Sequence, residues 1–261
     1  MTPHRIVMLA ASLAACVAVA APARAERLVT SLSSHRVLIT SNFTGEQLIL
    51  FGSVERDAAT VPRKTGYDIV VTVTGPRQTL VTRRKDRMLG IWVNVESRVF
   101  VDVPSYLAVL SSKPVDQITN EDVRRRLQIG LAHTLLPQQL GIDLADVNRD
   151  DPLRAAYLRL QNRHRLYVEE PNGVTFLTPT LYRTSIPLPA VTPVGTYEVD
   201  VKLFADGAMI ARATSAFEIT KVGFEQFVAN AARDHGLLYG LATAMMALMT
   251  GWLASVVFRK D

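Results

Sequence analysis

The chain has 261 residues, is 48% hydrophobic, and carries a formal charge of +5 with one cysteine, Cys16. Arg5 and Arg24 lie in an N-terminal leader and Arg259, Lys260 and Asp261 in a short tail, so the body from Glu26 to Gly236 keeps only +2, which argues against nucleic acid as a partner. With Cys16 in the leader, disulfides, thiol catalysis and cysteine-ligated metal are excluded from that body.

The leader opens with basic His4 and Arg5. An apolar stretch follows from Ile6 to Ala20, about 15 residues and too short for a comfortable span. Ala23-Arg24-Ala25 supplies the small-x-small pattern of signal cleavage, so residues 1–25 are expected to be a signal peptide with Glu26 as the mature start. Two rival readings are an uncleaved anchor and lipidation of Cys16 through Leu13-Ala14-Ala15-Cys16. The apolar run continues from Val17 to Ala21, which fits poorly with a lipoprotein.

Strand patterning begins after the leader. Arg36–Thr40 and Gln47–Phe51 are β-rich runs separated by the turn Asn42-Phe43-Thr44-Gly45, which also spells a glycosylation acceptor and is read simply as a turn. Tyr67–Thr74 is a strong strand, with Ile69, Val71 and Val73 on one face; Gly75-Pro76 turns the chain and Gln78–Thr82 is expected to return it. Ile91–Val95 and Arg98–Val103 follow, and Trp92 reads as a core residue. Between Gln78–Thr82 and Ile91–Val95 lies the densest basic run, Arg83, Arg84, Lys85 and Arg87, a candidate contact for an anion or for anionic head groups; the plainer expectation is a solvated turn.

The period then changes. Thr119, with Asp122 three residues later, is the expected N-cap of a helix continued by Val123 and Leu127. Asp151-Pro152 opens a second helix, whose buried stripe is expected to be Leu153, Ala156, Tyr157 and Leu160. Strands resume at Leu166. Tyr197, Val199, Val201 and Leu203 point one way along Thr196–Phe204, and Thr196, Glu198, Asp200 and Lys202 the other, the pattern of a half-buried strand whose second face meets solvent. Asp206-Gly207 is a hairpin turn, and Ala208–Thr220 pairs back with Phe217 and Ile219 inward. This succession predicts a mainly β fold: an immunoglobulin-like antiparallel β-sandwich over 26–222, with an inserted helical segment at 119–165.

Phe224, Phe227, Val228 and Ala231 form an amphipathic stalk helix over 223–236. Leu237–Phe258 follows, an uncharged apolar run long enough to cross a bilayer, and residues 259–261 form the tail. A cleaved leader and a stop-transfer run place the domain in the periplasm, the span in the bacterial inner membrane and the tail in the cytoplasm. Gly236, Gly240, Ala244, Ala247, Gly251 and Ser255 share one side of the span. That small-residue face is expected to pack against a partner helix, either of a second copy or of a multi-span transporter.

No catalytic fingerprint stands out. The histidines His4, His35, His133, His164 and His235 lack metal-ligand spacing, and there is no H-E-x-x-H, G-x-S-x-G or P-loop. Asp143, Asp146, Asp150 and Asp151 miss the spacing of a calcium loop, and helix capping accounts better for Asp151. The expectation is a binding protein without cofactor, metal or catalytic residues. The alternatives are a cell-envelope enzyme, with its site at the sandwich end near the helical insertion, and a structural homo-oligomer.

Leu38-Ile39-Thr40-Ser41-Asn42-Phe43-Thr44-Gly45, Leu50-Phe51-Gly52, Val103-Pro104-Ser105-Tyr106, Val194-Gly195-Thr196-Tyr197 and the closing span resemble a family of alphaproteobacterial transmembrane proteins of uncharacterised activity. The likeness covers nearly the whole mature chain, through turn and core signatures rather than catalytic ones. Members of that family are often encoded near an exporter of sulfite or organosulfonates, so the resemblance implies an accessory role in anion export.

Overall fold

A computed structural model describes residues 26–56, 66–140, 143–146, 151–223 and 232–257. The leader with Ala23 and Ala25, most of the stalk, Phe258 and the tail lie outside the described residues.

Two sheets face each other across one core. The first has the order β1 (Arg27–Leu32), β3 (Gly45–Glu55), β12 (Leu181–Pro189), β11 (Val174–Phe176), with antiparallel neighbours throughout. The second runs β10 (Tyr167–Pro171), β7 (Leu107–Ser111), β4 (Asp68–Thr74), β13 (Gly195–Ala205), β14 (Ala208–Lys221), β2 (Arg36–Ile39). Its central pairs are antiparallel, and both edge pairs, β10–β7 and β14–β2, are parallel. The inward residues Leu48, Leu50, Tyr182 and Ile186 of one sheet meet Ile69, Val71, Val73, Val199 and Val201 of the other in a single buried cluster. The mainly β fold read from the period-2 runs is the fold observed, and β13 pairs with β14 through the Asp206-Gly207 turn, where φ is +52° and +82°.

Partner choice differs from expectation in three places. The runs at 36–40 and 47–51 do not pair with each other: β2 crosses to the second sheet and lies parallel to β14, while β3 stays between β1 and β12. Nor does the chain after Gly75-Pro76 return along β4. It enters a long hairpin, β5 (Arg77–Met88) and β6 (Ile91–Pro104), which forms a third sheet with β8 (Pro137–Leu140) and β9 (Asp143–Asp146). Finally, the outer face of β13 is not left to solvent. Helices α1 (Val115–Ile118) and α2 (Glu121–Leu127) cover it, so Val70, Val109 and Phe204 form a second apolar layer with Ile118 and Ile129, and Lys202 is buried.

Local signals in the helical segment shift by small amounts. Asn120, not Thr119, caps α2 by accepting from Val123 N at 2.9 Å; Thr119 Oγ1 instead donates to Gly207 O at 2.7 Å and pins the helix to the β13–β14 turn. Asp151 caps α3 (Pro152–Arg163), accepting from Leu153 N. The buried side of α3 is Leu153, Arg154, Tyr157 and Gln161, with Leu158 packed beside it, whereas Leu160 is exposed. The stripe is rotated because Arg154 turns inward to donate to Thr134 O at 2.7 Å. Beyond the sandwich, α4 (Gly236–Val257) is one unbroken helix with no buried residue.

Candidate functional site

The β5–β6 hairpin is rooted where the sandwich ends. Gly75 N donates to Tyr106 O and Ser105 N to Pro76 O, both at 2.9 Å, so the two legs leave together. A Cβ on Gly75 would stand 2.9 Å from both Tyr106 and Tyr197, so only glycine fits there without a shift. Pro76 lies against Gly195, whose φ is +138°. The inner half of the hairpin is held by packing: Phe100 stacks on Tyr157 at 4.5 Å between ring centres, and Tyr157 meets Tyr167 edge-on at 5.7 Å. Tyr167 Oη donates to Pro104 O at 2.6 Å, tying the returning leg to β10. Burial, and then the neighbouring Tyr157, push the Tyr167 phenol well above its ordinary pKa.

The outer half leaves that support. Arg83, Arg84, Lys85 and Arg87 lie on β5, not in a turn, and all are exposed. The turn itself is Leu89-Gly90, with φ of +50° and +86°, the conformation of a two-residue hairpin that normally favours Asn-Gly. Met88, Leu89, Ile91, Trp92, Val93 and Val95 are all exposed around it, Leu89 fully and Trp92 at 69%. Trp92 is therefore not a core residue: the packing on the hairpin stops near Leu80 and Phe100, and nothing described covers the strand beyond. Leaving one such side chain in water forgoes roughly 1.5–3 kcal/mol, and single exposed residues are ordinary; a contiguous group is not. An ion-pair ladder connects this end to α3, from Arg84 to Glu96 at 3.7 Å, Glu96 to Arg98 at 3.7 Å and Arg98 to the Asp151 cap at 4.0 Å.

A cleft of about 680 Å³ lies beside the root, between the outer face of β13 and the end of α2. Thr72, Arg77, Arg126, Glu198, Lys202 and Arg212 are among its lining residues. Three of its charges engage each other, Asp200 pairing with both Lys202 and Arg212, and Arg77 pairs with Asp102 outside the cleft at 3.4 Å. The hydrogen bond to Asp200 raises the Arg212 pKa further. No cluster of His, Cys, Asp and Glu able to hold a metal occurs among the described residues.

The third element is α4. Its 22 residues rise ~33 Å, enough to cross the hydrocarbon layer of a bilayer. Thr243 Oγ1 and Thr250 Oγ1 donate back to Gly240 O and Met246 O, so these two hydroxyls are satisfied within the helix. Gly236, Gly240, Ala244, Ala247, Gly251 and Ser255 all stand exposed, and a Cβ on any of the three glycines would meet open space. The structure thus gathers Arg83, Arg84, Lys85 and Arg87 at one hairpin and the small residues along one helix. The apolar tip, Met88 to Val93, went unrecognised in the sequence. Its available signal was Leu89-Gly90 at the centre of two complementary runs.

A family profile described as "Putative transmembrane protein (Alph_Pro_TM)" matches residues 27–260. The chain belongs to this family. The match begins with β1 and runs past the end of α4, so the sandwich, its hairpin and the membrane helix make up one family unit. As a member, the chain is a β-rich transmembrane-family protein with one candidate membrane-spanning helix among the described residues. Among curated proteins nothing matches it.

Proposed function

We propose that this is a single-pass bacterial inner-membrane protein whose periplasmic domain works by binding, as an accessory subunit beside a multi-span membrane protein. The observation that carries the reading is the open small-residue row on a helix with no buried residue, where another helix can approach closely. The domain is read as an immunoglobulin-type sandwich. Its strand orders, β1-β3-β12-β11 and β7-β4-β13-β14 with β10 and β2 added at the edges, support that reading. So does Tyr197, near the start of β13, whose hydroxyl donates to Pro193 O four residues upstream at 2.6 Å, in the manner of a tyrosine corner. The pairing of Asp200 with Lys202 and Arg212 in the cleft supports binding over catalysis. The sequence resemblance makes an exporter of sulfur-containing anions the first partner to test.

The test is photo-crosslinking from Gly240 or Gly251 in native membranes. Capture of a multi-span protein supports the accessory role, and capture of a second copy supports the homo-oligomer instead. Absence of any adduct, with unchanged migration of Gly240→Leu and Gly251→Leu in mild detergent, would refute packing by this face.

A further inference from the structure

We propose that the outer half of the β5–β6 hairpin is a lipid-docking element. Its apolar tip enters the interfacial layer of the membrane that α4 crosses, and its basic run engages anionic lipid phosphates. The inference rests on the reading of α4 as a span.

Three observations on different levels agree. The first is composition by position. Around the turn stand Met88, Leu89, Ile91 and Trp92, all exposed, and along the β5 leg behind Met88 come Arg87, Lys85, Arg84 and Arg83. Apolar residues foremost, then an indole level with the first cation, Arg87, and further cations behind is the order in which a bilayer presents acyl chain, interface and phosphate. The charges at this end favour anions: four cations stand against Asp86 and Glu96, and Glu96 already pairs with Arg84 and Arg98.

The second is conformation. Leu89 holds φ at +50°, fully exposed, in a turn where asparagine or glycine is less strained. A large apolar side chain kept there makes no contact that stabilises the fold, so its use lies outside the fold.

The third is placement. The hairpin root, Gly75-Pro76, lies against Gly195, which pairs with Ile219 two residues before β14 ends at Lys221. The hairpin therefore springs from the end of the sandwich at which the chain leaves for α4. Only residues 222–235 separate β14 from α4, a connection of at most roughly 50 Å, and the hairpin itself extends about 40 Å. The tether keeps the tip within reach of the bilayer that the helix crosses.

The test uses the full chain in a Cys16→Ser background, reconstituted into vesicles of phosphatidylcholine with or without phosphatidylglycerol. An environment-sensitive probe is attached at Leu89→Cys. Met209→Cys, at the far end of β14, is the aqueous control, and Leu248→Cys on α4 is the control for the span. Lipids carrying a nitroxide on the acyl chain serve as quencher. The expected result is a blue-shifted probe at 89, quenched several-fold more strongly with phosphatidylglycerol than without. In Arg84→Glu with Arg87→Glu the difference between the two lipid compositions should vanish. A probe at 89 quenched no more than the probe at 209, while that at 248 is quenched, overturns the inference. Shielding of 89 only in native membranes, by a cross-linked protein, overturns it equally. An unquenched probe at 248 strikes instead at the span itself, so the two readings fail separately.

Discussion

Arg87 and Trp92 face each other across the β5–β6 ladder, as the second cross-strand pair from the Leu89-Gly90 turn. Arg87 Nε also donates to Gly90 O at 3.3 Å, so the guanidinium closes the turn that carries the exposed leucine. Cation and indole thus share one side of a strand pair that has no other cover, and the turn between them is strained rather than relaxed. A hairpin shaped only by stability would carry Asn-Gly there. Leu89→Asn is accordingly expected to raise the unfolding free energy by about 0.5–1 kcal/mol, read by denaturant titration of the full chain in mild detergent, while lowering acyl-chain quenching of a probe at Ile91→Cys in anionic vesicles. Lower stability together with unchanged quenching would contradict both halves.

The core makes an independent prediction at Gly52, which pairs with Tyr182 across β3 and β12. A Cβ there would stand 2.2 Å from the Tyr182 ring and hydroxyl. Gly52→Ala should destabilise by about 2 kcal/mol or more, because the tyrosine is fully buried and cannot step aside. Tyr182→Phe should be neutral or slightly stabilising, since that hydroxyl is buried with no hydrogen-bond partner among the described residues. Thermal melts of the two variants, side by side, check the pair.

Tyr167 anchors the returning leg of the hairpin. Tyr167→Phe removes the donor to Pro104 O and the 3.1 Å contact with the Tyr157 hydroxyl, and leaves a buried carbonyl unpaired. The expected cost is about 1–3 kcal/mol, with faster hydrogen exchange concentrated in β6 rather than spread over the sandwich. Uniform loss of protection would show that the hairpin is not a separately supported unit.

Four tyrosines, Tyr106, Tyr167, Tyr182 and Tyr197, are held protonated by burial, which pushes each phenol well above its usual value near 10. A raised folded pKa contributes stability that is fully present below the unfolded value and is lost as pH rises through the folded one. Stability should therefore hold up to about pH 10 and fall steeply above it. Tyrosinate absorbance should appear with unfolding rather than ahead of it. Gradual ionisation of these four in an intact fold would contradict the burial.

What was legible in the sequence was local. The β13–β14 hairpin followed from strict alternation plus Asp206-Gly207, and the apolar span from its composition. Asp151-Pro152 marked the start of α3 because cap and first helical residue are adjacent. Sheet membership was not legible, because the crossing of β2 to β14 is decided by residues about 180 positions apart. Lys202 read as solvent-facing because the alternation of β13 carries no record that α1 and α2 would cover its outer side. Trp92 read as core for the same reason reversed: tryptophan is buried by default, and only the absence of a covering element leaves it outside. The basic run was found and its apolar companion was not, since charge clusters show in a linear scan whereas an uncovered strand end appears only in three dimensions.

The central claim is that one helix holds an exported domain to the membrane by its tail. Protease digestion of right-side-out spheroplasts carrying an epitope after Asp261, followed by carbonate extraction, tests it most directly. The account predicts that the sandwich is digested while a membrane-embedded fragment bearing the epitope survives and resists extraction. Digestion of the epitope from outside, or release of the intact chain by carbonate, would contradict it.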